Sequence, residues 1–477
     1  SDRREDGSPP PCMAHLKSLG VTHIQLLPIF DFGSVDEGGD GGQFNWGYDP
    51  LNYNVPEGSY ATDPDRGGVR VRECREMIQA LHQNGFRVVM DVVYNHTHAA
   101  DSWLGRSAPG YYYRREEDGS LSNGSGCGND IAAGRAMADE YIVQSVLFWA
   151  REYHVDGFRF DLMGLMPVEL MNRIRAELDA AFGPGEKLLY GEPWRAGDSP
   201  MEPGSLPALK ENAALLDPGV GMFCDNTRDA VKGDCFHAEL PGFVCGGEGL
   251  EEAILHAASG WADGDPDFRP RCCGQIINYV SCHDNLTLWD KLLLSQPGEP
   301  PPGDFEAYRE DVARRNRLAV FICFTCLGRP FLQAGEEFGR TKFGDSNSYC
   351  SPPEVNMLRW AQAARFAPLV EYYRQLIRLR KSLPGLCGKS PEAAGRVTAQ
   401  TVLAPGVVSF QVEGGGAQGQ RLLVLYNASP WDYVYPLPGG GWSILADDRC
   451  AFQSVPARDG QAAVPALSGM LLQQPQE

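Results

Sequence analysis

What this chain of 477 residues lacks narrows its function before any motif does. No apolar run is long enough to span a bilayer, so membrane insertion is not expected. Positive charge is scarce: 42 Lys and Arg face 62 Asp and Glu, and the formal net charge of -20 disfavours nucleic acid and anionic membrane surfaces while suiting a neutral substrate. The amino end, Ser1-Asp-Arg-Arg-Glu-Asp-Gly-Ser8, has neither an initiator methionine nor the apolar core of a signal peptide. A processed or truncated start is expected, and export is left open. There is no internal repeat and no low-complexity tract. The 14 cysteines lack the dense, regular spacing of a disulfide scaffold, which predicts mostly free thiols in a reducing compartment and a cytoplasmic location. Cys323-Phe-Thr-Cys326 has redox spacing, but it lies in an apolar run, Leu318 to Leu327, and reads as buried and inert.

The chain does have alternating helical and strand signals over most of its length. Apolar runs near Thr22, Phe86, Val155, Leu188, Gly221, Ile276 and Phe331 read as strands, with helical patterns between them that include Val69 to Asn84, Pro167 to Phe182 and Phe366 to Ser382. That is a (β/α)8 TIM-type barrel with seven strand candidates where eight are needed. The first strand is expected to be missing, with a gap between the strands at Thr22 and Phe331. Beyond Pro384 the period becomes alternating, and short runs such as Val407 to Val412 and Arg421 to Tyr426 predict an all-β sandwich. The expected domains are a barrel over 1–384, with substrate-binding loops at 31–65 and 99–130, and a β-sandwich over 385–477.

The chemistry gathers at strand ends. Val155-Asp-Gly-Phe-Arg-Phe-Asp161 places an arginine and a carboxylate in a buried strand, where both are expensive unless they serve something. Asp161 and Glu192 end neighbouring strands and would face one cleft. Paired carboxylates are what glycoside hydrolysis needs, about 5 Å apart for a double displacement through a covalent intermediate. Arg159 would keep Asp161 ionised, whereas Glu192 has no cation beside it in sequence and stands next to Trp194, a setting that suits a general acid. His96-Thr-His98 is a weak metal pair without a matching ligand set, and Tyr111-Tyr-Tyr113 and Trp431 read equally well as packing residues or sugar platforms.

With these residues in view, the chain resembles the α-amylase superfamily and, within it, the type I pullulanases, bacterial debranching enzymes. Asp91-Val-Val-Tyr-Asn-His96, Gly157-Phe-Arg-Phe-Asp161, Gly191-Glu-Pro-Trp194 and Val280-Ser-Cys-His-Asp284 match its four strand-end motifs in order. Phe44-Asn-Trp-Gly-Tyr-Asp-Pro50 resembles the pullulanase signature, with Phe44 where the family has tyrosine. The resemblance, running from about Met13 to Trp360, implies retaining hydrolysis of α-1,6-glucosidic links in pullulan and branched α-glucans. It implies Asp161 as nucleophile, Glu192 as acid/base and Asp284 as a third carboxylate that holds sugar hydroxyls. Arg159 would support the nucleophile, and Asp91, His96 and His283 would bond the sugar at the scissile link. Tyr48 would stack on that sugar, and Trp194 and the segment Asp345 to Tyr349, including Asn347, would line further positions. No cofactor is implied; calcium, which some relatives bind, has no dedicated ligand loop here. Protein partners are left open. An isoamylase, a glucan branching enzyme or a truncated, non-catalytic glucan-binding homologue is the alternative. The family's third strand carries the Asp91 motif, which agrees with one missing strand, and poor solubility and weak activity are expected of the chain alone.

Overall fold

The computed structural model describes residues 11–39, 41–265, 268–296, 303–439 and 441–474. The expected missing first strand would precede Thr22, and residues 1–10 there lie outside the described residues. In chain order the first nine strands are β1 (His23–Leu26), β2 (Phe30–Phe32), β3 (Pro50–Pro56), β4 (Arg87–Val92), β5 (Gly157–Phe160), β6 (Leu188–Gly191), β7 (Val220–Phe223), β8 (Ile276–Asn278) and β9 (Arg329–Pro330). Seven of them form one parallel sheet in the order β1-β4-β5-β6-β7-β8-β9. Helices run between most of the neighbours, among them Gly67–Gln83, Ala136–Glu152, Val168–Phe182 and Glu310–Thr325. Among the described residues this is a (β/α)8-type barrel with seven strands in its sheet. Among the described residues β1 and β9 have one partner each, so the gap lies where the strand count puts it. The helices close where the strands do not: Cys12–Leu19 packs on Ala367–Ser382, with the Arg374 guanidinium donating to the Ser18 carbonyl at 2.9 Å.

Register sets the site. Gly157 pairs with Val89 on one side and Leu188 on the other, and a Cβ at Gly157 would come within 2.7 Å of Leu188 Cβ. Only glycine permits this approach. Two residues on, the same register aligns Asp91, Arg159 and Tyr190 across β4, β5 and β6. Side chains of neighbouring strands at one level share a face, so an acid and a guanidinium are brought together by pairing alone.

Several details differ from the sequence reading. The strand expected from Thr22 to Phe30 stops at Leu26, ahead of Pro28, which offers no ladder N–H. The long loop 31–65 contains the antiparallel pair β2 and β3. The strand expected at Phe331 is the two-residue β9, one step earlier.

The carboxyl end is all β: β10 (Val397–Ala404), β11 (Val407–Val412), β12 (Leu422–Asn427), β13 (Tyr433–Pro436), β14 (Ser443–Ala446), β15 (Val455–Pro456), β16 (Gln461–Val464) and β17 (Ser468–Gln473). Six of them form a sheet in the order β10-β11-β12-β17-β14-β15, while β13 pairs with β16. One face buries Leu423, Leu425, Met470 and Leu472 against Trp442, Ala462 and Val464. The other lies on barrel helix Glu310–Thr325, where Tyr426 meets Phe321 edge-on and shares a 2.7 Å hydrogen bond with Thr325. Covered on both faces, β12 is buried throughout and shows no alternation. At Gly469 of β17 an added Cβ would collide with the Phe321 ring. Gly469→Ala is expected to destabilise the chain by about 1–3 kcal/mol, as overpacking does, while Gly67→Ala, with nothing within 4 Å, is neutral. Urea unfolding of the two variants checks this, and equal midpoints would show that the sheet yields.

Candidate active site

At the carboxyl ends of the barrel strands one guanidinium gathers three acids. Arg159 is fully buried; its Nη1 donates to Asp91 Oδ1 at 2.8 Å and to Asp161 Oδ1 at 3.0 Å, and its Nη2 donates to Glu192 Oε1. These acids stand on or just past β4, β5 and β6. The reading that Glu192 has no neighbouring cation is therefore corrected: residues far apart in sequence meet because Phe160 pairs with Gly191.

The environments of the acids differ. Asp161 turns Oδ2 toward Asn95, whose amide donates to it at 2.8 Å and to the Asp161 carbonyl at 2.9 Å. Glu192 is buried and accepts the Leu162 N–H at 3.0 Å. Leu162 adopts a left-handed backbone (φ 39°), unusual without glycine, and this sharp turn after Asp161 aims the amide at Glu192. Burial pushes the Glu192 carboxyl up to about 8, with Asp161 and Asp284 adding to the shift and Arg159 opposing it. Burial outweighs the cation, so Glu192 keeps the protonated character expected of a general acid.

Asp91 lies beneath this floor, fully buried, with Oδ2 accepting from Tyr48 Oη at 2.8 Å and Gln25 Nε2 at 3.3 Å. Burial raises its carboxyl to about 7 against the pull of Arg159. His96 is enclosed between the Tyr48 carbonyl at 2.8 Å and Asn95 Oδ1 at 2.5 Å, and burial lowers its pKa. In this geometry Asp91 and His96 are buried, with their polar atoms hydrogen-bonded to Arg159, Tyr48, Gln25 and Asn95. Tyr48 stacks on His283 with ring centres 4.7 Å apart, so one of its faces is taken by protein. His283 meets the edge of Trp46 at 5.0 Å, and burial holds its pKa well below the usual value. Asp284 rises at the rim with its side chain 54% exposed and lies 3.4 Å from His283 Nε2.

The outer residues are less bound in. Trp194 lies under the Arg228 guanidinium at 5.8 Å. Tyr349 is half-exposed, its carbonyl accepting the Trp46 N–H at 3.0 Å, and Asn347 is exposed beside Asp345. Sequence reading passed over Asn95, although it sits inside the Asp91 motif, and also Gln25, Trp46 and the Leu162 amide, whose roles depend on register and backbone conformation. Of the aromatics left open, Tyr113 is buried and Trp431 is 76% exposed.

Donor atoms of Glu192, His283 and Asp284 lie within 4.8 Å of one another, as do those of Asp31, Glu37 and Glu57. Each group already has a cation. Arg159 serves the first, and Arg70 the second, at 2.7 Å from Glu37 and 3.9 Å from Asp31.

Comparison with known proteins agrees with this layout. The α-amylase catalytic domain model matches residues 12–118. A pullulanase of Bacillus subtilis is 38% identical over 93% of this chain and 61% of its own length, so the chain spans about three fifths of that relative. The crystal structure of a Paenibacillus barengoltzii pullulanase in complex with maltohexaose and α-cyclodextrin is 40% identical, with a TM-score of 0.89 over 99% of this chain and 72% of that one. The Bacillus acidopullulyticus pullulanase, 36% identical, aligns with a TM-score of 0.91 over 99% of this chain and 56% of its own. With three of the four strand-end motifs meeting at Arg159 and this likeness extending over nearly its whole length, the chain belongs to the pullulanase family of the α-amylase superfamily.

Proposed function

We propose that this chain hydrolyses α-1,6-glucosidic links in pullulan and branched α-glucans with retention of configuration. The observation that carries the reading is the Arg159 hub, which holds Asp161 and Glu192 on one guanidinium while leaving them unlike environments. Asp161 attacks the anomeric carbon as Glu192 protonates the departing glycosidic oxygen. The resulting glycosyl ester is then cleaved by a water that Glu192, now a carboxylate, deprotonates. Asp284 and His283 face the reacting sugar and hold its hydroxyls, with Trp194, Asn347 and Tyr349 further along the cleft. A maltohexaose bound to one relative and maltotriose bound to another form of it favour a linear α-glucan as ligand. All three carboxylates stand in place, which favours an enzyme over a binding homologue. The 14 cysteines, all as free thiols, suit a cytoplasmic location. Incubation with pullulan tests the assignment: maltotriose as sole product supports it, and panose or isopanose marks α-1,4 cleavage instead.

The pH profile gives a second test. Glu192 acts as an acid only while protonated, and its native pKa of about 8 lies above the ordinary carboxyl value. Activity is therefore present below that pKa and lost as pH rises through it. The alkaline limb of kcat/KM, which reports the free enzyme, is expected near 8. The same upward shift means that the native state loses stability over this window, because the unfolded chain gives up the proton more readily. An alkaline limb below pH 6 would show that burial does not outweigh Arg159 at Glu192, and an alkaline limb unchanged in Glu192→Gln would remove Glu192 from the acid role.

A further inference from the structure

A buried ammonium beside the site is left unused by this mechanism. Lys342 is 1% exposed and forms no ion pair within 4 Å among the described residues. Burying a cation without a carboxylate in contact is costly, so its partners matter. Nζ donates to the His283 carbonyl at 2.5 Å and lies 4.5 Å from the centre of the Trp46 ring, over its face. The backbone of the same residue is held as firmly. Its N–H donates to Asp290 Oδ2 at 2.8 Å, and Asp290 also accepts from Thr341 Oγ1 and from the Gly344 N–H. Asp290 lies in the first turn of helix Leu288–Leu294, whose N-cap is Thr287, three residues after Asp284. Lys342 thus grips the segment carrying His283 and Asp284 at both ends, by its side chain before Asp284 and by its backbone after it. Asn285 and Phe343, both with φ of 58°, are non-glycine residues in the left-handed region on either side of this clamp. Trp46 extends it to a third loop, through Asn356 Oδ1 at 3.2 Å from its indole nitrogen and the Tyr349 carbonyl. Burial and the neighbouring Arg340 push the Lys342 pKa down to about 8, and its charge reaches Asp284 together with those of Arg159 and Arg228.

We propose that Lys342 is a positioning residue for the reaction: its ammonium pins the His283 carbonyl to the face of Trp46 and so fixes where His283, Asp284 and the stacked Tyr48 ring meet the sugar being cleaved. The inference rests on the hydrolytic reading above. Lys342→Met keeps the length and removes the charge and the donor. Misplacing a reacting geometry by about 1 Å costs roughly 100-fold in rate, and a fall of that order in kcat on pullulan is expected, with KM changed less than about threefold. Lys342→Arg, which restores a buried cation with donors, should recover at least about a tenth of the parent kcat. A merely space-filling lysine would give the reverse order, methionine being tolerated and arginine not. If Lys342→Met does not fold, Lys342→Gln, which keeps one donor but no charge, takes its place under the same thresholds. A folded Met or Gln variant with parent kcat, or no recovery by arginine, overturns the proposal alone. A parent without turnover on pullulan overturns the hydrolytic reading and this inference with it.

Discussion

Asp161→Asn and Glu192→Gln are each expected to lower kcat on pullulan by about 10⁴-fold or more, the scale at which removing a nucleophile or its proton partner disables a group that acts as a unit. Both side chains keep their shape, and Arg159 stays satisfied by Asp91, so the melting temperature should stay near the parent's. The two losses are distinguishable by leaving group. A glycosyl fluoride departs without protonation, so Glu192→Gln should still form the glycosyl ester from it, and azide, which needs no general base, should release the sugar as its azide. Asp161→Asn has no carboxylate to form the ester and should remain inactive under both conditions. A folded Asp161→Asn that turned over the fluoride at the parent rate would place the nucleophile elsewhere.

Much of this site was legible because a parallel barrel buries its strands on both faces. In such strands a charged residue stands out, which is why Arg159, Asp161 and Glu192 could be singled out from apolar runs. What the linear chain does not carry is register. Arg159 and Asp161 are two apart, share a face, and were read as partners. The contacts of Arg159 with Asp91 and Glu192 arise only from the pairing of β5 with β4 and β6. The same limit applies to depth: the Asp91 motif marks the strand end, while the burial of Asp91 and His96 and their bonds to Tyr48 follow from the fold.

The parts that were missed have comparable causes. The pair β2 and β3 is short and irregular, with register shifts at both Phe30 and Asp31, and its residues look like loop. Strands β10 and β14 to β17 escaped notice because they are short or carry Ala, Gln, Ser, Gly and Pro, and because the central sheet packs on helix Glu310–Thr325 as well as on its own second layer. Helix ends fared better, since the positive-φ glycines Gly20 and Gly85 stop their helices within one or two residues of where the pattern ends.

Arg159→Met is expected to destabilise the chain by about 3–5 kcal/mol, the usual loss when one partner of a buried ion pair is removed and the other charge is left behind. Here three carboxyl groups are left, and Asp91 is fully buried with only Tyr48 and Gln25 still donating to it. Protonation can relieve what the cation no longer balances. Without Arg159 the carboxyls of Asp91 and Glu192 should rise further above their unfolded values, so stability is retained at low pH and lost as pH rises through the raised native values. The destabilisation measured by urea unfolding should therefore be larger at pH 8 than at pH 5. Methionine fills most of the volume of the arginine stem, which separates the charge effect from a cavity. Turnover should fall as well, because Asp161 and Glu192 lose the group that fixes their spacing, and lysine in the same place should restore charge without the two-pronged geometry and recover only part of it. An equal loss of stability at both pH values would mean that Arg159 holds the barrel by packing, and that the carboxylates are organised by Asn95, Tyr48 and the Leu162 amide instead.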